Sequence, residues 1–214
     1  MKYFIYTCIL LLSLNSFSQE KRLALVIGNS DYEKGQLKNP VNDAKLIAKT
    51  LDSLGFDVIA KYNLATQLEF KNAIKEFGTR RENYEVGFVY YAGHGIQVND
   101  ENFMLPTKVS FNSEIDVQED GVSVKSIMRY LESKSSQVNI LILDACRDNP
   151  FKNASESRGL IVEELLNEQS SDGVLIAYAT TSGSTASDGL KESKNSVSLT
   201  ENELIDMIEM IVLQ

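Results

Sequence analysis

The sequence predicts a three-layer α/β/α domain with a mostly parallel central sheet, and three observations carry that expectation. Five short apolar runs, Leu23 to Ile27, Phe56 to Tyr62, Val86 to Tyr91, Val138 to Ala145 and Val174 to Thr180, are rich in Val, Ile and Tyr and bounded by Gly, Asn or Asp, as strands are. Their apolarity is mostly continuous rather than alternating, so both faces of the sheet need cover, which is the habit of parallel sheets. The segments between them carry helical spacing, giving a β-α-β succession with right-handed crossovers.

Residues 1–18 stand outside this pattern. Lys2 precedes the apolar run Tyr3 to Leu14, and Ser16-Phe17-Ser18 follows with small residues at its first and third places, the form of an export signal. The run is too short to anchor across a hydrocarbon layer of about 30 Å, so no stable membrane span is expected. The expectation is an exported chain, periplasmic or extracellular, beginning near Gln19 and forming one domain over residues 19–214.

The elements follow in order. Val41, Ala44, Ile47, Ala48, Leu51 and Leu54 share one helical face, with Gly55 as the stop. Thr66 and Glu69 form a capping box ahead of Phe70, Ala73, Ile74 and Phe77, and Gly78 is expected to close that helix. Gly95 to Thr107 reads as a hairpin with Asn99-Asp100 at its tip. Val124, Ile127, Met128 and Leu131 predict a helix over Ser123 to Glu132, and Thr200 with Glu203 opens a final one through Leu204, Ile208, Ile211 and Val212. Residues 147–172 form a long polar stretch with a short helix near Ile161 to Leu166, a loop length that usually goes with function or mobility.

Charge and inventory exclude several chemistries. With 21 Lys+Arg against 30 Asp+Glu the formal charge is −9, and no local run supplies the basic face that nucleic-acid binding needs. Cys8 lies in the export segment, which leaves Cys146 as the one cysteine beyond it and His94 as the one histidine. A His/Cys zinc site would lack ligands. No cofactor is expected. Calcium could be bound by Asp116, Glu119 and Asp120, but they lack the spacing of a calcium loop and read as a solvated face.

Two strand ends hold the reactive groups. Val86 to Tyr91 runs into Ala92-Gly93-His94-Gly95, and Ile140 to Leu143 runs into Asp144-Ala145-Cys146-Arg147. In open α/β sheets ligands bind beyond the carboxyl ends of strands, so an imidazole and a thiol would be delivered to one crevice if these strands are neighbours. Asp144, two residues before Cys146, would face the same side of the sheet. A carboxylate there disfavours the thiolate unless a cation, such as a substrate side chain, relieves it.

With these residues in place, the sequence resembles the caspase-like cysteine peptidases. Ala145-Cys146-Arg147 matches the middle of the caspase pattern Q-A-C-[RQG]-G, whose histidine lies about 50 residues upstream; His94 lies 52 residues before Cys146 (146 − 94). Asp144 in place of Gln, and the run Asp144 to Phe151, are similar to metacaspases and paracaspases. The likeness extends over Leu23 to Asn29, Leu37, Asn42-Asp43-Ala44 and Ile176 to Thr180.

That resemblance implies a cysteine endopeptidase in which Cys146 attacks the scissile carbonyl, His94 moves the proton, and the N–H groups of Gly95 and Cys146 hold the oxyanion. It implies Asp43 and Asp144 as acidic walls of the primary specificity pocket, hence a peptide or protein substrate cut after Arg or Lys. Ala92 stands where some relatives carry a serine, and Ser182 and Gly183 lie in the stretch that pairs with extended substrate. The other reading is a catalytically silent caspase-like module that binds peptides or signals through the same groove.

Overall fold

The computed structural model describes residues 20–131 and 138–145, the backbone of residues 174–178, and Asp206. Five strands, β1 (Arg22–Gly28), β2 (Phe56–Tyr62), β3 (Val86–Gly93), β7 (Val138–Ala145) and β8 (Val174–Tyr178), form one sheet in the order β2-β1-β3-β7-β8. Every neighbouring pair in it is parallel. Every apolar run read from the sequence is therefore a strand of this sheet. The shorter β4 (Gly95–Val98), β5 (Glu101–Met104) and β6 (Val122–Ser123) make a separate antiparallel sheet.

Continuous apolarity has the expected cause. Leu23 to Ile27 are all 0% exposed because alternate residues pack against helices on opposite faces. On one face Ala24, Val26, Phe88, Tyr90, Ile140 and Ile142 meet Ala44, Ile47 and Leu51 of α1 (Pro40–Ser53). On the other, Leu25, Ile27, Tyr91, Leu141 and Leu143 meet α2 (Gln67–Arg81) and Ile127 and Leu131 of α4 (Lys125–Leu131). β1 leads through α1 to β2 on one side and the chain then returns to β3 on the other. The order in which strands are added therefore reverses between β1 and β3, the place where crevices open in such folds.

Three local expectations are corrected. Gly78 does not close α2, which continues to Arg81. A Cβ at Gly78 would lie 2.2 Å from Tyr130 Cδ1, so the glycine is there to let the α4 tyrosine lie on the helix. The capping box is half present: Thr66 Oγ1 accepts from the Glu69 N–H at 3.2 Å, but the Glu69 carboxylate takes the Ala65 N–H at 2.6 Å, one residue early. Ser123 belongs to β6, opposite Phe103, and the helix begins at Lys125.

Asp116, read as a solvated acid, accepts from the Asn112 and Ser113 N–H groups at the start of α3 (Glu114–Asp120). Those bonds, the Asn112 one first, hold its carboxyl below the usual range. The hairpin is as expected, with Asn99 and Asp100 at φ 50° and 59°, the pair of positive values a two-residue turn demands. The expected segment 147–172 and the second capping box at Thr200 and Glu203 lie outside the described residues, as do residues 1–18. Within the predicted final helix Asp206 is helical. No described helix is long and apolar enough to cross a membrane.

Arg81 is 1% exposed, an unusual place for a cation. Its guanidinium donates to Asn139 Oδ1 at 3.1 and 2.7 Å, to the Glu85 and Val138 carbonyls at 3.3 and 3.2 Å, and to the Tyr84 carbonyl. Asn139 in turn donates to the Leu131 carbonyl at 2.7 Å. Arg81 and Asn139 together thus tie the ends of α2 and α4 to the amino ends of β3 and β7.

Candidate active site

β3 and β7 are adjacent and in register through Ala92 opposite Asp144 and Gly93 opposite Ala145. The residues that follow them in the sequence are His94 and Cys146. His94 is described in full; Cys146 lies outside the described residues, as do Ser182 and Gly183.

His94 is held by its ring and by its backbone. Its Nε2 lies 2.5 Å from the Gly35 carbonyl oxygen, and its ring centroid lies 4.4 Å from that of Tyr32. Its backbone N–H donates to the Tyr32 hydroxyl at 2.9 Å, and its carbonyl accepts from the Tyr91 hydroxyl at 2.6 Å and the Leu105 N–H at 3.2 Å. Both hydroxyls lie where a Cβ on Gly93 would fall, 2.6 Å from Tyr32 and 2.7 Å from Tyr91. That close approach, at φ 156°, is the reason for the glycine before the histidine.

The loop that brings Tyr32 and Gly35 to the imidazole is anchored by Asn29, 0% exposed. Its N–H donates to the Ala92 carbonyl at 2.9 Å, its Nδ2 to the Leu105 carbonyl at 3.0 Å, and its Oδ1 accepts from the Leu64 N–H at 3.0 Å. Asn29, Tyr32, Gly35 and Tyr91 surround His94, and sequence reasoning did not assign them to the site. The available signal was a polar residue directly after a fully apolar strand, where a buried amide must find several partners.

The acidic residues share one end of the sheet. Asp144 follows Ile140 and Ile142 at the strand period, so it faces the α1 side. Asp43 sits in the first turn of α1, beside Ala44, whose Cβ meets Gly28 so closely that a side chain there would lie 2.6 Å away. Gly28, Ala92 and Asp144 form one row across β1, β3 and β7. The first turn of α1, which carries Asp43, and Asp144 therefore lie on the same face and at the same end of the sheet. Asp144 is half-buried and accepts from the Tyr90 hydroxyl at 3.2 Å; desolvation pushes its carboxyl above the usual range, and the Tyr90 bond only partly offsets this. Ala92, the middle member of that row, is 1% exposed.

Gly95 opens β4 opposite Met104. Because Leu105 donates to the His94 carbonyl, Gly95 occupies a non-hydrogen-bonded position of that ladder, and its own N–H points away from β5. Among the described residues no group of three or more His, Cys, Asp or Glu is arranged to hold a metal ion. The open cleft lined by Glu20, Arg22, Asp57, Arg80 and Tyr84 lies at the amino ends of β1 and β2, the far end of the sheet.

Residues 21–210 match the family model for the caspase domain. The chain is 33% identical over 129 residues to the human mucosa-associated lymphoid tissue lymphoma translocation protein 1, across 59% of this chain and 15% of that protein. The Mus musculus homolog matches with the same identity and coverage. Among solved structures, protein GSU0716 from Geobacter sulfurreducens superposes with a TM-score of 0.47 at 18% identity, covering 59% of this chain and 50% of that one.

Proposed function

The chain belongs to the caspase domain family, and from that premise we propose that it is a cysteine endopeptidase that cuts after Arg or Lys. The observation that carries the proposal is the pairing of Gly93 with Ala145 across parallel strands, because the residue that follows the first in the sequence is the histidine and the residue that follows the second is the cysteine.

In this reading the Cys146 thiolate attacks the scissile carbonyl, forming a C–S bond and a tetrahedral oxyanion. The N–H groups of Gly95 and Cys146 hold that oxyanion, an interaction worth about 3 to 4 kcal/mol per donor. The C–N bond then breaks, His94 gives a proton to the leaving amine, and a thioester remains. Water attacks it with His94 as base, releasing the acid and restoring the thiol. The Nε2 contact with the Gly35 carbonyl supports Nδ1 as the nitrogen that exchanges the proton.

Specificity follows from charge. Asp43 and Asp144 lie on one side of the strand ends, and Asp144 carries a desolvation cost as an anion. A guanidinium or ammonium relieves that cost and pairs with the carboxylate, whereas an Asp side chain adds to it. Ser182 and Gly183 are proposed to pair with the extended substrate by strand addition. Residues 1–18 support export, which N-terminal sequencing of secreted protein tests by a start near Gln19.

The test is turnover of Arg-, Lys- and Asp-terminated fluorogenic peptides by the wild-type chain and Cys146→Ala. Turnover of the first two, abolished in the variant, supports the reading. A preference for Asp overturns the pocket. Turnover unchanged in the variant overturns the nucleophile, and an inert wild type that still binds Arg peptides establishes the silent module instead.

A further inference from the structure

We propose that Tyr91, assisted by Tyr32, is a positioning residue that aims the Gly95 N–H as an oxyanion donor; this rests on the peptidase reading. The argument begins with protons. The Tyr91 hydroxyl has one to give, and its one close acceptor among the described residues is the His94 carbonyl at 2.6 Å. Its other neighbours, the Leu105 N–H at 3.3 Å and the Tyr32 hydroxyl at 3.2 Å, can act as donors toward it. Tyr32 accepts from the His94 N–H and directs its own proton to Tyr91 or to the Leu105 carbonyl at 3.3 Å. Burial pushes the Tyr32 phenol up to about 12 and Tyr91 well above its ordinary value, so both remain protonated donors at neutral pH.

The His94 carbonyl and the Gly95 N–H belong to one planar trans peptide and point in opposite directions. Whatever fixes the carbonyl fixes the amide. Tyr91 lies in β3 on the α2 side, fully buried with its ring 5.7 Å from Phe70, so its hydroxyl pulls the carbonyl inward and turns the Gly95 N–H outward along the free side of β4. Rotating that peptide by half a turn would forfeit the bonds from Tyr91 and Leu105 together and leave a buried carbonyl unpaired. Glycine neighbours on both sides of His94 make such a rotation sterically easy. The two hydroxyls supply the restraint that the glycines lack.

The experiment compares full-length wild type, Tyr91→Phe and, as a control, Tyr84→Phe, whose hydroxyl bonds Asp57 at the far end of the sheet. Turnover of an Arg-terminated fluorogenic peptide is read beside inhibition by the matching peptide aldehyde, site-resolved alkylation of Cys146 by iodoacetamide, and the Gly95 amide resonance. In Tyr91→Phe, kcat is expected to fall about 10- to 100-fold, short of complete loss of a donor, with KM within twofold. Aldehyde affinity should fall in parallel, because its adduct carries an oxyanion. Alkylation should keep the wild-type rate, since displacement at a saturated carbon builds none, and the Gly95 resonance should move in Tyr91→Phe alone. A kcat within twofold of wild type, or an alkylation rate that falls with kcat, overturns the proposal. If wild type turns over no peptide, the peptidase reading fails separately. The Gly95 resonance then decides: movement confined to Tyr91→Phe upholds the positioning role, and an unmoved resonance overturns it.

Discussion

The His94 Nε2 and the Gly35 carbonyl oxygen meet at 2.5 Å across 59 residues of sequence. The imidazole is thereby tied to the loop after β1, while the strand that delivers it lies beside β7. One nitrogen is committed to a backbone acceptor, which in the proposed mechanism assigns the proton transfer to the other.

Gly35 is suited to that role by its conformation. Its φ is +74°, and a Cβ would sit 3.1 Å from His94 Nε2. Gly35→Ala should cost about 1 to 2 kcal/mol of stability from the left-handed backbone alone. It should also displace the imidazole. We expect kcat on an Arg peptide to fall about tenfold with KM little changed, and melting temperature to drop by a few degrees. A lower melting temperature with unchanged kcat would show that the carbonyl does not orient the ring.

Asp144 gives a pH-dependent prediction. Burial raises its carboxyl above the ordinary value, against a smaller opposing effect of the Tyr90 hydroxyl. A raised native value means that the folded state favours the protonated form. Its contribution to stability is complete below the ordinary carboxylate pKa and is lost as pH rises through the raised one. Asp144→Asn should therefore melt higher than wild type at pH 7, with the difference closing in acid. In the same variant the preference for Arg over Asp peptides should fall at least about tenfold, since an ion pair is exchanged for a neutral contact. Melting curves against pH and paired kcat/KM values check the two halves.

Arg81 should prove structural. Burial lowers its guanidinium to about 10, so it stays charged at neutral pH and satisfies the buried carbonyls around it. Arg81→Met strands those acceptors and should cost about 3 kcal/mol or more. At about 2 to 4 °C per kcal/mol for a chain of this size, melting temperature should fall by roughly 10 °C. Arg81→Lys should not restore it, because a point charge cannot serve four directions. Activity per folded molecule should hold, the clasp being at the amino end of the sheet.

Gly78→Ala tests the correction to α2. In a free helix the change would gain about 1 kcal/mol, yet here the new methyl meets the Tyr130 ring as near its stem as Cγ, 2.6 Å away. A net loss of about 1 to 3 kcal/mol is expected. Gly78→Ala combined with Tyr130→Ala should show a coupling energy of opposite sign in a double-mutant cycle, measured by denaturant melts.

The sheet was legible because its strands are buried on both sides, which writes them as unbroken apolar runs. The Asn99-Asp100 turn was legible for a local reason, its tolerance of positive φ. Gly78 misled because a glycine kept for a neighbour's ring looks the same in sequence as one kept for a helix stop. The second task of Asp116 was not legible: a solvated carboxylate that also caps its own helix cannot be told from one that does not until the Asn112 N–H is seen to reach it.

For the proposed site, the sequence alone named the candidates, since it offers one histidine, one cysteine beyond residues 1–18, and an aspartate two places before that cysteine. Strand adjacency was decided only by tertiary structure, because parallel pairing joins segments through crossovers and leaves no mark in local spacing. Tertiary structure likewise recruited Asn29, Tyr32, Gly35 and Tyr91 around His94. Their roles come from hydrogen bonds between positions distant in the chain, and a hydrogen bond has no sequence signature until folding has brought its two ends together.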